Sequence, residues 1–213
     1  MIISHKHKFI CLNPPKTGTG YREHRLGRNH SDINIWTESP TFVRHHDVKR
    51  VLQFLKSKGI EDKCEDYFWF TFVRNPWDRI VSWYNMRIQH AKMINPMTKE
   101  NFYHFIKKLY SNDQGDKGWI NGTLDNFFIK NGKVIDFVGT LESMNEDMTF
   151  ISNKFNLNLN IDILANKPLP SIHEEISELW TDESINFVKK KERSVIELKN
   201  YTFGKDPFFL PRT

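Results

Sequence analysis

The spacing of apolar residues along the chain separates strands from helices. Residues 7–13, "HKFICLN", form a short apolar run that enters a Pro/Gly loop, and predict a buried strand. "YREHRLG" is placed to start a helix after that loop, and residues 29–42 are a polar excursion. In "HHDVKRVLQFLKSKG" Val48, Val51, Leu52 and Leu55 recur at helical spacing and the pattern stops at Gly59. Residues 67–73, "YFWFTFV", are almost continuously aromatic or β-branched, as in a parallel strand covered on both faces. That run breaks at "RNP", and a helix is predicted from about Pro76, with Ile80, Trp83, Tyr84 and Ile88 on one face.

"KENFYHFIKKLY" predicts a second amphipathic helix, and "GDKGWINGT" a loop. "KVIDFVGTLE" predicts a further strand, followed by a helix over "SMNEDMTFISNKF" with Ser143 as its cap and Glu146 at the capping-box position. "NKPLPSIH" is a loop, and "TDESINFVKKKERSVIELKN" one closing helix. Strands and helices alternate throughout, which predicts one α/β domain over residues 1–213 with a mostly parallel central sheet flanked by helices.

Composition places the chain among globular proteins: 38% of residues are apolar, with 17 Phe, six Trp and six Tyr to fill a core. The formal charge of +5 suits an anionic partner (nucleotide, nucleic acid, sulfated or acidic glycan), and equally a solvated lysine-rich surface. Cys11 in a buried strand and Cys64 in a charged turn make neither a disulfide framework nor a zinc site. No stretch approaches the roughly 18–20 apolar residues of a membrane span, and "MIISHKHKF" lacks the apolar segment of a secretory signal. A cytoplasmic protein with reduced cysteines is expected.

The chemistry begins at "NPPKTGTG". A loop between a strand and the next helix of an α/β sheet is the favoured place for an anion. Gly18 and Gly20 let backbone N–H groups approach, Lys16 brings a mobile charge after Pro15, and Thr17 and Thr19 bring hydroxyls. The pattern G-x-x-x-x-G-K-[ST] of nucleoside-triphosphate loops is absent, because the lysine precedes the glycines. A second element follows the strand "YFWFTF": Arg74 at its end, and Ser82 eight residues on in the next helix. A buried strand-end arginine needs an anion or an acidic partner. Arg79 lies between them and is open to pairing with Asp78 or another carboxylate.

"PKTGT" followed by "FVRNPWDRIVSWY" resembles the sulfotransferases that use 3′-phosphoadenosine 5′-phosphosulfate, and most closely their carbohydrate branch. "KVIDFVGTLESMNEDM" and the final "SVIELKNYTFG" are similar to later parts of that branch. The resemblance implies a fold like that of the P-loop nucleotide kinases. It implies that Pro15, Lys16, Thr17, Gly18, Thr19 and Gly20 form the 5′-phosphosulfate loop, that Arg74 and Ser82 bind the 3′-phosphate, and that Lys16 stabilises the leaving phosphate. It also implies an acceptor hydroxyl, on a carbohydrate, and no metal. The chain departs from the family at Gly20 and Tyr21, where Ser or Thr is common.

An acceptor hydroxyl needs a base, and histidine suits neutral pH. The carbohydrate branch that the chain resembles has a histidine six residues before an aliphatic helix position; His45 before Val51 and His46 before Leu52 both match it, so the register leaves both open, and Glu142 is a third candidate. Two other functions compete. A small nucleotide kinase would need a Mg²⁺-holding strand acid, for which Asp136 is the obvious residue. A basic nucleic-acid binder would use "FVKKKER", although Lys189–Lys191 on a helix equally make a solvated face. Nucleic acid is not an expected partner, and no transmembrane segment is expected.

Overall fold

The computed structural model describes residues 1–27, 30, 33–34, 45–91, 97–111, 123–161 and 172–204. The polar excursion 29–42 and the loops "GDKGWINGT" and "NKPLPSIH" lie almost wholly outside the described residues. Two compact units make up the chain: Met1–Val73 with Asn126–Asn166, and Arg74–Asp125 with Lys167–Thr213. Among the described residues no helix is long and apolar enough to cross a membrane.

The first unit is built on a five-stranded sheet. Its strands are β1 (Ile2–Ser4), β2 (Phe9–Cys11), β3 (Ile33–Asn34), β4 (Phe68–Val73) and, after a small hairpin of β5 (Ile129–Lys130) and β6 (Lys133–Val134), β7 (Phe137–Thr140), in the order β3-β1-β2-β4-β7. The strands β2, β4 and β7 run parallel, as the alternation of elements predicts. An antiparallel edge of β1 and β3 is added to them. Ile2 and Ile3 are fully buried in β1, and the turn to β2 closes through Lys8 at φ 53°. Every residue of β4 from Trp69 to Val73 is buried, which explains its unbroken aromatic run.

Hydrogen bonds carry the parallel ladders past the strand ends. The Leu12 N–H donates to Phe70 O at 2.9 Å, and the Leu141 N–H to Val73 O at 2.8 Å. The carboxyl ends of β2 and β7 are thereby fixed where their loops leave the sheet. Helix α1 (Thr19–Arg22) and a π-helical turn (Glu23–Gly27) follow the first loop. Helix α2 (Val48–Ser57) is capped by Asp47, whose carboxylate accepts from the Arg50 N–H at 2.8 Å. It buries Val48, Val51 and Leu55.

Two predictions in this unit are corrected. The strand over "KVIDFVGTLE" is divided at Ile135–Asp136: its first two residues form β6, which folds back on β5 across the turn of Asn131 (φ 52°) and Gly132 (φ 75°), and only Phe137–Thr140 join the central sheet as β7. Asp136 then leaves the strand and accepts from the Trp69 N–H at 2.7 Å. The Ser143–Glu146 capping box also does not form. Ser143 precedes α5 (Met144–Phe155) at φ −109°, ψ 30°, outside the extended region an N-cap needs, and makes no side-chain cap. Asp147 instead accepts from the Thr140 N–H at 2.7 Å, and Thr140 Oγ1 from the Ser143 N–H at 3.0 Å. Met144, Met148 and Ile151 on α5 pack with Phe9, Phe70 and Phe72 in the core of this unit.

The second unit is helical: α3 (Pro76–Ala91), α4 (Lys99–Leu109), α6 (Ile172–Ser177), α7 (Asp182–Lys191) and α8 (Arg193–Lys199). Asn75 begins α3, its side chain accepting from the Trp77 N–H at 3.1 Å. The core contains Trp77, Ile80, Trp83 and Tyr84 of α3 with Phe102, Trp180 and Val188. The predicted single closing helix is two, broken at Glu192, whose backbone leaves helical geometry at φ −108°, ψ 25°. Its carboxylate turns inward, fully buried, to accept from Tyr110 Oη and the Leu124 N–H, each at 2.9 Å. It also pairs with Arg79 at 3.4 Å. Arg79 thus has a carboxylate partner far from it in sequence.

Candidate functional site

The loop after β2 leaves the sheet at Asn13, whose side chain is fully buried. Pro14 and Pro15 are buried, Lys16 is partly exposed, and Gly20 is exposed. Lys16 and Gly18 both lie in the left-handed region, at φ 65° and 77°. For a lysine that conformation costs on the order of 1 kcal/mol, and such strain recurs where a loop is shaped for a ligand. Gly18 is also closely packed, against side-chain ends that a Cβ would have to push aside. A Cβ there would stand 2.8 Å from Leu141 Cδ1 and 3.1 Å from Met144 Cε, so the loop lies directly on the turn that follows β7. Glu142 sits in that turn, half-buried.

The loop hydroxyls are already committed. Thr17 Oγ1 and Thr19 Oγ1 both donate to the Pro14 carbonyl, at 2.8 and 2.9 Å. Each hydroxyl has one proton, so neither is available to a bound anion in this arrangement. What the loop presents to an anion is therefore its backbone N–H groups and Lys16.

One residue of this site escaped the sequence reading. Arg22, on α1, is fully buried. It donates to the Thr17 carbonyl, to Thr17 Oγ1 at 3.0 Å and to Thr19 Oγ1 at 3.5 Å. Its guanidinium lies 4.8 Å from the Phe72 ring centroid, within cation–π range. Burial draws its pKa down to about 10, partly offset by the nearby Cys11 and Glu23, so it stays charged at neutral pH. The spacing held a signal, since residues 19 and 22 share a helix face.

The two histidines have different surroundings. His45 Nδ1 lies 2.7 Å from the Asn13 carbonyl oxygen. A carbonyl only accepts, so Nδ1 carries the proton and Nε2 keeps its lone pair. The ring is thus tied to the first residue of the loop. For His46, by contrast, both ring nitrogens are buried without a hydrogen-bond partner. Burial first, then the positive charges of the Met1 amino group and Arg50, push its pKa down to about 4. Between roughly pH 6.5 and 4 the unfolded chain binds a proton at His46 that the folded chain refuses, so stability present above pH 6.5 is lost on acidification. Because the ring is part-exposed, about 1 kcal/mol or less is expected by pH 5. Urea titrations at pH 7 and 5 should show His46→Gln losing less stability than the wild type; equal losses would remove this role from His46.

Asp136 does not sit where a metal-binding strand acid should. It precedes β7, at the amino end of the parallel strands, and its carboxylate holds the Trp69 N–H. Lys189, Lys190 and Lys191 are exposed in the last turn of α7, where cations favour the helix end.

In the second unit Arg74, which directly follows β4 in the chain, is buried, with 7% of its surface exposed. Ser82 lies in the second turn of α3 and is half-buried. Asn85, one turn further along the same face, is buried with its side-chain oxygen unpartnered. Asp78, Ser82 and Asn85 form a polar stripe along α3, distinct from the apolar face of Trp77, Ile80 and Tyr84.

Comparison with known proteins agrees with this arrangement of motifs. The profile described as "Sulfotransferase family" matches residues 1–198. Carbohydrate sulfotransferase 10 of Xenopus laevis is 26% identical over 118 residues, covering 54% of this chain and 33% of the frog protein. An uncharacterized protein of Archaeoglobus fulgidus is 28% identical over 102 residues, covering 48% of this chain and 78% of that protein. The match thus spans a third of the frog protein's length. No solved structure matches. With the family profile covering all but its last residues, the chain belongs to the sulfotransferase family.

Proposed function

We propose that residues 1–213 act as one sulfotransferase domain that moves a sulfuryl group from 3′-phosphoadenosine 5′-phosphosulfate to a carbohydrate hydroxyl. The observation that carries this reading is the 2.7 Å contact of His45 Nδ1 with the Asn13 carbonyl, which ties a base-competent imidazole to the start of the anion loop. Lys16 and the N–H groups of residues 17–19 hold the phosphosulfate, and Arg74 and Ser82 take the 3′-phosphate. His45 Nε2 accepts the acceptor's proton as its oxygen bonds to sulfur. The sulfur–oxygen bond to the phosphate breaks, and 3′,5′-diphosphoadenosine leaves with the charge that Lys16 stabilises. Side-chain and backbone charges supply the positive field, and no metal ion is part of this scheme. The acceptor class rests on the named function of the frog relative and on the basic charge of +5.

Calorimetry with three nucleotides tests the reading. The wild type is expected to bind 3′,5′-diphosphoadenosine more tightly than Mg²⁺–ATP. Arg74→Ala should weaken 3′,5′-diphosphoadenosine by about 1.5–3 kcal/mol, the range of a charge-assisted hydrogen bond. Adenosine 5′-phosphate, which lacks the 3′-phosphate, should lose little. Tighter binding of Mg²⁺–ATP would favour the kinase, and equal losses for the two adenosine ligands would take Arg74 out of the 3′-phosphate site.

A further inference from the structure

Two charged side chains have no solvent exposure among the described residues, Arg22 and Glu192. Glu192 meets Arg79. Arg22 makes no ion pair with a carboxylate among the described residues; it meets one carbonyl, two hydroxyls, an aromatic face and the Cys11 thiol, with the Glu23 carboxylate acting on it without contact. A cation removed from water without a paired carboxylate is costly, and such partners offset that cost only in part. The cost falls at one place, the loop of Pro14 to Thr19. Both hydroxyls that Arg22 grips are themselves bonded to Pro14, so guanidinium, Thr17, Thr19 and Pro14 form one closed knot. Gly18, in its left-handed conformation, lies against the same guanidinium, 3.7 Å from Arg22 Nη1 to the position a Cβ would take.

We propose that Arg22 is a positioning residue for the donor's phosphosulfate: it clamps the loop through Thr17 and Thr19 and supplies a fixed positive charge that the bound anion completes. Lys16 then provides the mobile charge and Arg22 the immobile one. Burial draws the guanidinium's pKa down only to about 10, so that charge is present throughout the neutral range. The inference rests on the sulfotransferase reading above.

The test compares 3′,5′-diphosphoadenosine with adenosine 3′-phosphate, which lacks the group the loop would hold. In the wild type the first should bind more tightly. Arg22→Met should weaken the first by roughly tenfold or more and leave the second unchanged, as for a lost charge-assisted contact. Arg22→Lys, which keeps the charge without the fork, should restore much of the difference. Equal losses for both ligands, or no rescue by lysine, would reduce Arg22 to a scaffold and overturn the proposal. If Arg22→Met does not fold, the ¹⁵N-labelled wild type gives the same answer. The Arg22 Nε–H resonance, assigned by its absence in Arg22→Lys, should move with 3′,5′-diphosphoadenosine and not with adenosine 3′-phosphate; an unmoved resonance overturns the proposal. A wild type that binds neither nucleotide brings down the sulfotransferase reading as well. A wild type that gains affinity from the 5′-phosphate, alongside an Arg22→Met variant that keeps that gain, brings down this inference alone.

Discussion

Replacing His45 with alanine is expected to slow sulfuryl transfer by roughly 10²–10⁴-fold, the range for loss of a general base, while 3′,5′-diphosphoadenosine binding stays near the wild-type value. The proposed base is held through Nδ1–H to the Asn13 carbonyl, and that carbonyl opens the loop that carries Lys16. In the scheme proposed above the imidazole serves the acceptor's proton and not the donor's anion, so its loss leaves donor binding intact. His46→Ala should turn over at close to the normal rate, because its ring nitrogens are buried and without partners and its pKa lies near 4. Single-turnover assays with labelled donor, beside equilibrium binding, separate the two steps. Partial rescue of His45→Ala by added imidazole would support the assignment. Slow turnover in His46→Ala with normal turnover in His45→Ala would shift the base by one residue. Normal turnover in both would move the assignment to Glu142, in the turn that packs against Gly18.

What the sequence made legible follows from where the information is local. The run "YFWFTFV" identifies β4 because a strand buried on both faces needs no alternation. The helix from Val48 is marked by its own apolar spacing and the helix from Pro76 by its first residue. The failures depend on partners far along the chain. Glu192 breaks a helix that its neighbours would continue, because Arg79, Tyr110 and Leu124 draw its carboxylate inward. The short β1 has only three residues, too few for a pattern of its own, and β3 gains its place through pairing with β1. At the site, the glycine and lysine pattern locates the loop. It does not show that the threonine hydroxyls turn to Pro14, nor that an arginine lies buried against them, since both depend on how the loop closes on itself. The choice between His45 and His46 was open in sequence, where both have the same spacing to the next helix. The contact with Asn13, 32 residues away, distinguishes their environments.

Arg79→Ala is expected to destabilise the protein by about 3–5 kcal/mol, the cost of leaving one member of a buried ion pair alone. Arg79 and Glu192 are 3% and 0% exposed, so water does little to replace the lost partner. The effect should depend on pH with a definite sign. Burial raises the pKa of Glu192 above the ordinary carboxylate value, and Arg79 is the largest influence opposing that rise. A carboxyl whose folded pKa is raised contributes most below its unfolded pKa of roughly 4.3 and less as pH rises through the folded value. Without Arg79 the folded pKa rises further, so the variant's deficit should be larger at pH 7 than at pH 4.5. Urea unfolding at the two pH values measures this directly. Adding Glu192→Gln to Arg79→Ala should recover part of the loss at pH 7, since the amide removes the stranded charge while its oxygen can still accept from the Leu124 N–H and its NH2 can donate to Tyr110 Oη. A deficit below about 1 kcal/mol, the level of a solvated surface pair, would show that the pair is hydrated. Arg79 stands between Arg74 and Ser82 in sequence and lies on the same helix as Ser82, so a full-sized deficit would mean that this pair also holds α3 in place for the 3′-phosphate contacts proposed here.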